Sequence, residues 1–304
     1  MSREREPHCP SCGSKDIKVQ FECTDYMVSH RQFPIAKCAV CAMRITLNAP
    51  GSEEISRYYE SEQYISHSGS GEGITGFLYS RVRSLMLGRK AALAARSVRK
   101  SRGVSLDIGA GAGFFVRKMR DRGWHANGVE VSDTARRTAR ELNGVELYES
   151  LEKVSFPNGQ PDVVTLWHVL EHMHSPAGHL ARIASLIKDD GCVIIALPNP
   201  DSADARHYGK NWAAWDVPRH LWHFSSESIK RMAADAGLKL RSVRLLPPDS
   251  FYISILSEKT ERKPFALLRG LVRGFLFFLH SLINKERGSS LIYLFEKAQE
   301  RHYK

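Results

Sequence analysis

From residue 104 onward, short apolar runs of strand length alternate with stretches whose apolar residues recur at helical spacing. Val104 to Ile108, His125 to Val131, Val145 to Tyr148, Asp162 to His168 and Cys192 to Leu197 read as strands. Helical stretches follow them at about 113–122, 133–142 and 177–187, and a further helix spans 225–236. Two more strands are expected at Leu240 to Leu246 and Ser290 to Phe295. Strands separated by helices at this spacing predict an α/β fold, with a doubly wound, mostly parallel sheet covered on both faces.

Ahead of this region the pattern differs. Residues 1–50 hold two close cysteine pairs, turn residues and β-like runs such as Ile17 to Phe21, and read as a separate small unit. Residues 51–76 are polar, with Gly69, Gly71, Gly73 and Gly76 close together, as expected of a linker or mobile flap. From Gly76 to Lys100 the period is helical, with Leu78, Val82, Leu85, Met86, Leu93 and Ala94 roughly on one face. The organisation expected is therefore a cysteine unit over 1–50, a linker and helix over 51–100, and one α/β domain over 101–304. Within that domain, Phe265 to Ile283 is unusually apolar, with Arg269 and Arg273 one turn apart on another face. Its uncharged part is too short for a span of about 20 residues. Two readings remain: a helix lying on a membrane surface, flanked by Lys263, Lys285 and Arg287, or a lid or dimer helix packed on protein.

Charge narrows the partners. The 44 Lys and Arg exceed the 33 Asp and Glu, giving +11. Such a balance favours an anionic partner: a nucleotide-linked substrate, a nucleic acid or an acidic membrane. The basic residues are scattered without an RNA-binding or helix-turn-helix signature, so nucleic acid is not expected. The polar N-terminus lacks a signal-type apolar run, which predicts a cytoplasmic location, possible peripheral membrane contact through 265–284 aside. Cysteines there are thiolates rather than a disulfide framework.

Cys9, Cys12, Cys38 and Cys41 form two C-x2-C pairs. Each pair presents two sulfurs from one tight knuckle, and two knuckles complete a tetrahedral, closed and therefore structural zinc site. Gly13 suits the positive φ that such a knuckle needs. A redox dithiol and an iron–sulfur cluster are the competing readings, and Cys23 is expected to be packed. A unit this small buries little core, and the metal would supply its stability.

The strand ending in Asp107 runs directly into Gly109-Ala110-Gly111-Ala112-Gly113. Ligands of open α/β sheets bind beyond the carboxyl ends of the strands, where such glycines let backbone approach closely. Asp107 is placed to accept hydrogen bonds from an ammonium group, and Glu130 to take both hydroxyls of a ribose. A nicotinamide dinucleotide fits less well. That fingerprint wants glycine where Phe114 stands, and Asp107 would repel a pyrophosphate.

Leu106 to Phe114, Val129-Glu130-Val131-Ser132, Asp162 to His172, Leu197-Pro198-Asn199-Pro200 and Trp215 to Phe224 together resemble the class I S-adenosylmethionine-dependent methyltransferases, in the branch with Leu-Glu-His after the fourth strand. The resemblance covers about residues 101–250 and implies a Rossmann-like methyltransferase fold. It implies that Asp107, Gly109, Gly111 and Gly113 hold the methionine part of the cofactor. Glu130 would hold the ribose, and the Trp167-His168 turn would take the far side. The family's usual acid near the adenine has no clear counterpart, Glu149 being the neighbour. The cysteine unit adds a similarity to sugar methyltransferases with an N-terminal zinc unit. In those a histidine in a similarly placed loop acts as base, and His220 is the match, with Arg219 before it where they often have an acid.

Histidine is the usual proton acceptor near neutral pH, and methyl transfer needs an aligned, deprotonated acceptor. Trp212, Trp215, Asp216, Arg219, His220, Trp222, His223 and Phe224 offer aromatic surface with a few polar groups, as a ring-bearing substrate requires. The competing reading has Arg219-His220 capping or packing the next helix. His168, His172 and His174 cluster after the fourth strand; Glu171 and His172 are expected to fix that turn by hydrogen bonds, a metal being the lesser reading. From the cysteine unit, Tyr26, His30 and Arg31 are candidates for the acceptor site. The expected function is methylation of a small-molecule or glycan-precursor acceptor of nucleotide-sugar type. Alternatives are a lipid-linked or quinone-like acceptor at a membrane surface, and an inactive zinc-containing adaptor.

Overall fold

The computed structural model describes residues 8–59 and 74–298, the side chains of 74–79 excepted. Most of the expected flap at 51–76 lies outside the described residues.

In the larger sheet, six strands run in the order β5-β4-β6-β7-β10-β9. These are β4 (Val104–Ile108), β5 (His125–Val129), β6 (Val163–Trp167), β7 (Cys192–Pro198), β9 (Leu238–Leu245) and β10 (Ser290–Lys297). The pairs β4–β5, β4–β6 and β6–β7 are parallel, whereas β10 runs antiparallel to both β7 and β9. The mostly parallel sheet matches expectation. The strand expected at Val145 to Tyr148 is reduced to one parallel bridge, Val129 to Tyr148.

The continuous apolar runs follow from burial on both faces. In β7, Val193, Ile195 and Leu197 face one core with Leu180 and Ile183 of α4 (Pro176–Leu186) and Ile229 and Met232 of α6 (Ser226–Asp235). The alternate residues Cys192, Ile194 and Ala196 face the other, with Ala91 and Ala94 of α1 (Ile74–Ser97) and Phe115 and Met119 of α2 (Phe114–Arg120). α3 (Asp133–Asn143) starts at Ser132, whose side chain accepts from the Ala135 N–H.

A second, antiparallel sheet has the order β1-β2-β3-β8. Here β1 (Ile17–Thr24), β2 (Gln32–Cys38) and β3 (Arg44–Thr46) come from the cysteine unit, and β8 (Trp222–His223) comes from the α/β domain, between β7 and β9. Arg44 pairs with His223 and Ile45 with Trp222. The Ser11 hydroxyl donates to Ser228 O (3.0 Å), and the Ser225 hydroxyl to Cys41 O (3.1 Å).

Between β9 and β10 the chain makes a helical excursion through α7 (Pro248–Thr260) and α8 (Ala266–Ile283). α8 is the expected apolar helix, and its polarity is inverted. Its small and charged residues face the protein: Gly270 and Gly274 pack on the α7 backbone, and Arg269 and Arg273 reach the buried Glu258 at 2.7 and 3.0 Å. Leu267, Leu268, Val272, Phe275, Leu276 and Leu282 face outward, each more than half exposed. α8 also packs Phe278 against Phe251 and Phe277 against His207 and Tyr208, while the rest of its apolar surface stays exposed. A Cβ on Gly274 would lie 2.6 Å from Phe251 Cα, and backbone cannot step aside as a side-chain end can. Gly274→Val is expected to destabilise the protein by about 1–3 kcal/mol or more, read as a fall in thermal midpoint by circular dichroism. An unchanged midpoint would refute the close helix contact.

Candidate functional site

The residues expected to hold a cofactor converge at the carboxyl ends of β4, β5 and β6. Asp107 is 5% exposed and accepts a 2.5 Å hydrogen bond from the Thr165 hydroxyl. Burial pushes its carboxyl up to about 7, the Thr165 bond and the charge of Lys90 pulling the other way. Gly109, Gly111 and Gly113 all have positive φ. At Gly109 the turn passes so close to Val169 that a Cβ would lie 2.4 Å from its methyl, whereas at Gly111 a Cβ would meet nothing within 4 Å. The loop thus packs on the turn after β6 and faces open space at its tip. Glu130 is fixed there by the backbone N–H groups of Gly111 (2.8 Å) and Ser132 (2.9 Å).

Trp167 closes the far side, its ring edge-on to Phe115 and its buried indole N–H without a partner. Lys90 of α1 stands 4.5 Å over that ring, buried enough that its ammonium is pulled below the usual lysine range. His168 has φ 57° and lies between Asp249 (3.0 Å) and Glu171 (3.5 Å). Although packing around the ring favours the neutral form, the two carboxylates raise it to about 9. The orphaned indole, the open loop tip and the buried carboxylate of Asp107 suit a cationic, nucleoside-bearing cofactor.

A cavity of about 580 Å³ continues from His168. Trp215, Tyr252, Ile253 and Leu256 give it apolar walls, and Asp216, His220 and Asp249 contribute polar groups. The cysteine unit contributes Cys23, Tyr26 and Met27, whereas His30 and Arg31 are not among the lining residues. Cys23 is buried, as expected, and its thiol is pushed up to about 12 by burial.

His220 is 8% exposed. Its Nδ1 lies 2.9 Å from Ala214 O, which can only accept, so the proton sits on Nδ1 and the lone pair on Nε2. Its ring meets that of His172 edge-on, with centroids 4.6 Å apart. Arg219 turns the other way: buried, it grips Asp216 through Nε and Nη2 and donates to Tyr58 O. Neither residue caps the next helix, which starts at Ser225 with its hydroxyl accepting from Ser228 N–H. Instead of an acid before His220 in sequence, Asp216 stands 3.8 Å from its Nε2.

The turn after β6 differs from expectation. The Glu171 carboxylate is 1% exposed, and neither oxygen has a hydrogen-bond partner. Despite burial, it is held below the usual carboxylate range by the neighbouring His168 ring. His172 does make hydrogen bonds, to Arg219 O (3.0 Å) and the Tyr59 hydroxyl (2.9 Å), and so ties this turn to the His220 segment. Burial and the neighbouring His220 lower its ring to about 4. His174 is exposed, 3.4 Å from Pro50 O.

The four sulfurs of Cys9, Cys12, Cys38 and Cys41 lie within 4.8 Å of one another and form no disulfide. Cys9 and Cys41 are 3.4 Å apart, Cys12 and Cys38 3.5 Å. Zn–S bonds of about 2.3 Å in a tetrahedron need separations near these. Gly13 has φ +71°, as the knuckle requires. The donor set fits zinc.

Sequence reasoning missed Lys90, Thr165 and Asp249. Lys90 hides among arginines of α1, where a basic residue reads as solvated. Thr165 could have been found: it is the polar break in the run Val163 to Trp167.

Comparisons with known proteins agree with this geometry. A family model described as "Methyltransferase domain" matches residues 79–243. Among curated proteins, the chain is 34% identical over 152 residues to a ubiquinone biosynthesis O-methyltransferase of Aeromonas salmonicida, covering 45% of this chain and 63% of that protein. A protein of the same description from Thiobacillus denitrificans is 29% identical over 154 residues, covering 44% and 63%. The chain thus spans less than two thirds of the length of these relatives. Among solved structures, magnesium protoporphyrin IX methyltransferase from Synechocystis, with bound SAH, superposes with a TM-score of 0.52 at 13% identity, over 81% of this chain and 100% of that one. That likeness supports the fold.

Because the raised Asp107 must ionise to hold a cation, affinity for the expected sulfonium cofactor should be flat above pH 7. Below it, the dissociation constant should rise by up to about tenfold per pH unit. Asp107→Asn should bind more weakly and lose this slope. Calorimetry between pH 6 and 8 that found no slope in the wild type would contradict the assignment.

Proposed function

The chain belongs to the methyltransferase-domain family, and from that premise we propose that it is an S-adenosylmethionine-dependent O-methyltransferase of an apolar, quinone-like acceptor. The observation that carries this is the aromatic cavity running from the His168 turn, on the cofactor side, to the α7 wall, with His220 in its lining. The relatives named as ubiquinone biosynthesis O-methyltransferases support the acceptor class. Asp107 and the loop Gly109, Gly111 and Gly113 would hold the methionine part, Glu130 the ribose, and Trp167 with His168 the far side. Bound there, S-adenosylmethionine supplies an electrophilic methyl group, whose S–C bond breaks as the acceptor oxygen's electron pair forms the new O–C bond. His220, in the cavity lining with its lone pair on Nε2, serves removal of the hydroxyl proton. Trp215, Tyr252 and Leu256 exclude water and align the acceptor ring.

A nucleotide-sugar-like acceptor is the second reading. It is favoured by the cysteine unit, whose Tyr26 and Met27 line the same cavity. The quartet Cys9, Cys12, Cys38 and Cys41 would hold a structural zinc, its coordination closed by four thiolates. An inactive adaptor is the reading that cofactor binding without turnover would favour.

α8 bears on where the enzyme works. By length and composition it could cross a membrane, yet its arginines are turned toward α7, which fits a helix lying in the surface. Exposed Arg262, Lys263 and Lys285 flank α8 in sequence, complementary to anionic headgroups. An acceptor with a lipid tail would then enter the cavity beside α7.

His220→Ala should bind S-adenosylmethionine like the wild type but lose about 10²–10⁴-fold in kcat. The assay would use a phenolic quinone precursor, with a nucleotide sugar as the competing acceptor. Wild-type turnover of the sugar alone would displace the quinone reading, and unchanged turnover in the variant would remove His220. The wild type should float with anionic vesicles, and Leu268→Asp/Leu276→Asp should remain in solution. Wild-type protein that stays behind, or that dimerises through α8, would defeat the membrane reading.

A further inference from the structure

Proceeding from His220 as the residue that serves the acceptor, we propose that Glu171, His172 and His220 bind one divalent transition-metal ion, separate from the cysteine quartet. The three residues come from two segments brought together by the fold, the turn after β6 and the loop before β8. One ligand atom from each lies within 4.8 Å of the other two.

Three features of the cluster suit a cation. Both imidazoles are oriented alike: His220 Nδ1 lies 2.9 Å from Ala214 O, and His172 Nδ1 lies 3.0 Å from Arg219 O. Backbone carbonyls only accept, so each ring is protonated at Nδ1 and offers its lone pair at Nε2. Metal-bound histidines are held by outer partners in this manner. Glu171 adds a carboxylate that is 1% exposed and has no hydrogen-bond partner for either oxygen. A buried carboxylate left in that state is costly unless a cation meets it. The His168 imidazolium, 3.5 Å away, is shared with Asp249 at 3.0 Å, so one positive charge there faces two carboxylates.

Two neutral imidazoles and one carboxylate favour zinc, iron(II), cobalt(II) or manganese(II) over magnesium or calcium, and leave coordination positions open. His220 lines the acceptor cavity, so an acceptor hydroxyl can take one of those positions. The ion would lower the pKa of that hydroxyl. Its proton then leaves to water, and the oxygen keeps the electron pair that forms the new O–C bond. In this state His220 acts as a ligand rather than as the proton acceptor.

Full-length protein with the cysteine quartet loaded would be titrated with cobalt(II) and with manganese(II). One further equivalent should bind. Cobalt should give the weak visible bands of nitrogen and oxygen ligation, without intense sulfur charge transfer. Glu171→Gln and His172→Asn should weaken this equivalent at least as much as the roughly 10–100-fold lost with an outer-shell partner. S-adenosylmethionine binding and quartet metal would serve as fold controls. Cobalt should also broaden the ring-proton resonances of His172 and His220 in the wild type, which needs no substitution. No further equivalent, an equivalent indifferent to both variants, or unbroadened rings at saturation would each overturn the site. If turnover survives chelation while His220→Ala is inactive, the proposed function stands and this inference falls.

Discussion

The pairing of β3 with β8 is the joint on which the His220 side of the cavity depends. β8 is two residues long, and by itself a strand of that length has no stability. It forms because Arg44 and Ile45 offer a ladder, and because Thr46 adds a hydroxyl that donates to His220 O at 2.6 Å. The segment carrying His220 is therefore shaped by the cysteine unit, some 170 residues earlier in sequence. His172 completes the arrangement from the opposite side through Arg219 O. A change in the cysteine knuckles would reach the His220 segment through this ladder, with Ser225 and Cys41 as a second route.

The glycine-loop half and the cavity half are held in different ways. Glu130 is fixed by backbone N–H groups of the loop and of Ser132, Asp107 by its strand and the Thr165 hydroxyl. The cavity half rests on buried charge. His168 stands between the carboxylates of Glu171 and Asp249, and Arg219 locks Asp216. Such networks are costly when incomplete and specific when satisfied.

The division explains what was legible in the sequence. Strands such as Val163 to Trp167 announce themselves because both faces are buried, and the loop after Asp107 because three positive-φ positions require glycine. The cysteine quartet is legible through spacing. β8 is not, because two residues carry no periodicity. The weak third strand was overread from four alternating residues that only one bridge supports. Lys90 and Asp249 were invisible because each belongs to a helix whose approach to the cleft is set by tertiary packing. The inverted polarity of α8 depends on Gly270 and Gly274, whose close contact with α7 is a property of the pair of helices.

The excursion through α7 and α8 begins after Leu245 and returns at Leu291, and these two residues face each other across the β9–β10 ladder. Opposed strand residues stand about 5 Å apart, so the departing and returning chain share one fixed gate in the sheet. Whatever is threaded between those posts changes the wall and mouth of the cavity without shifting the strand register beneath the glycine loop. Insertions closed by a rigid ladder also add little entropic cost as they lengthen. The segment is in effect a cassette: its length and surface polarity can change while the two posts that hold it stay where they are.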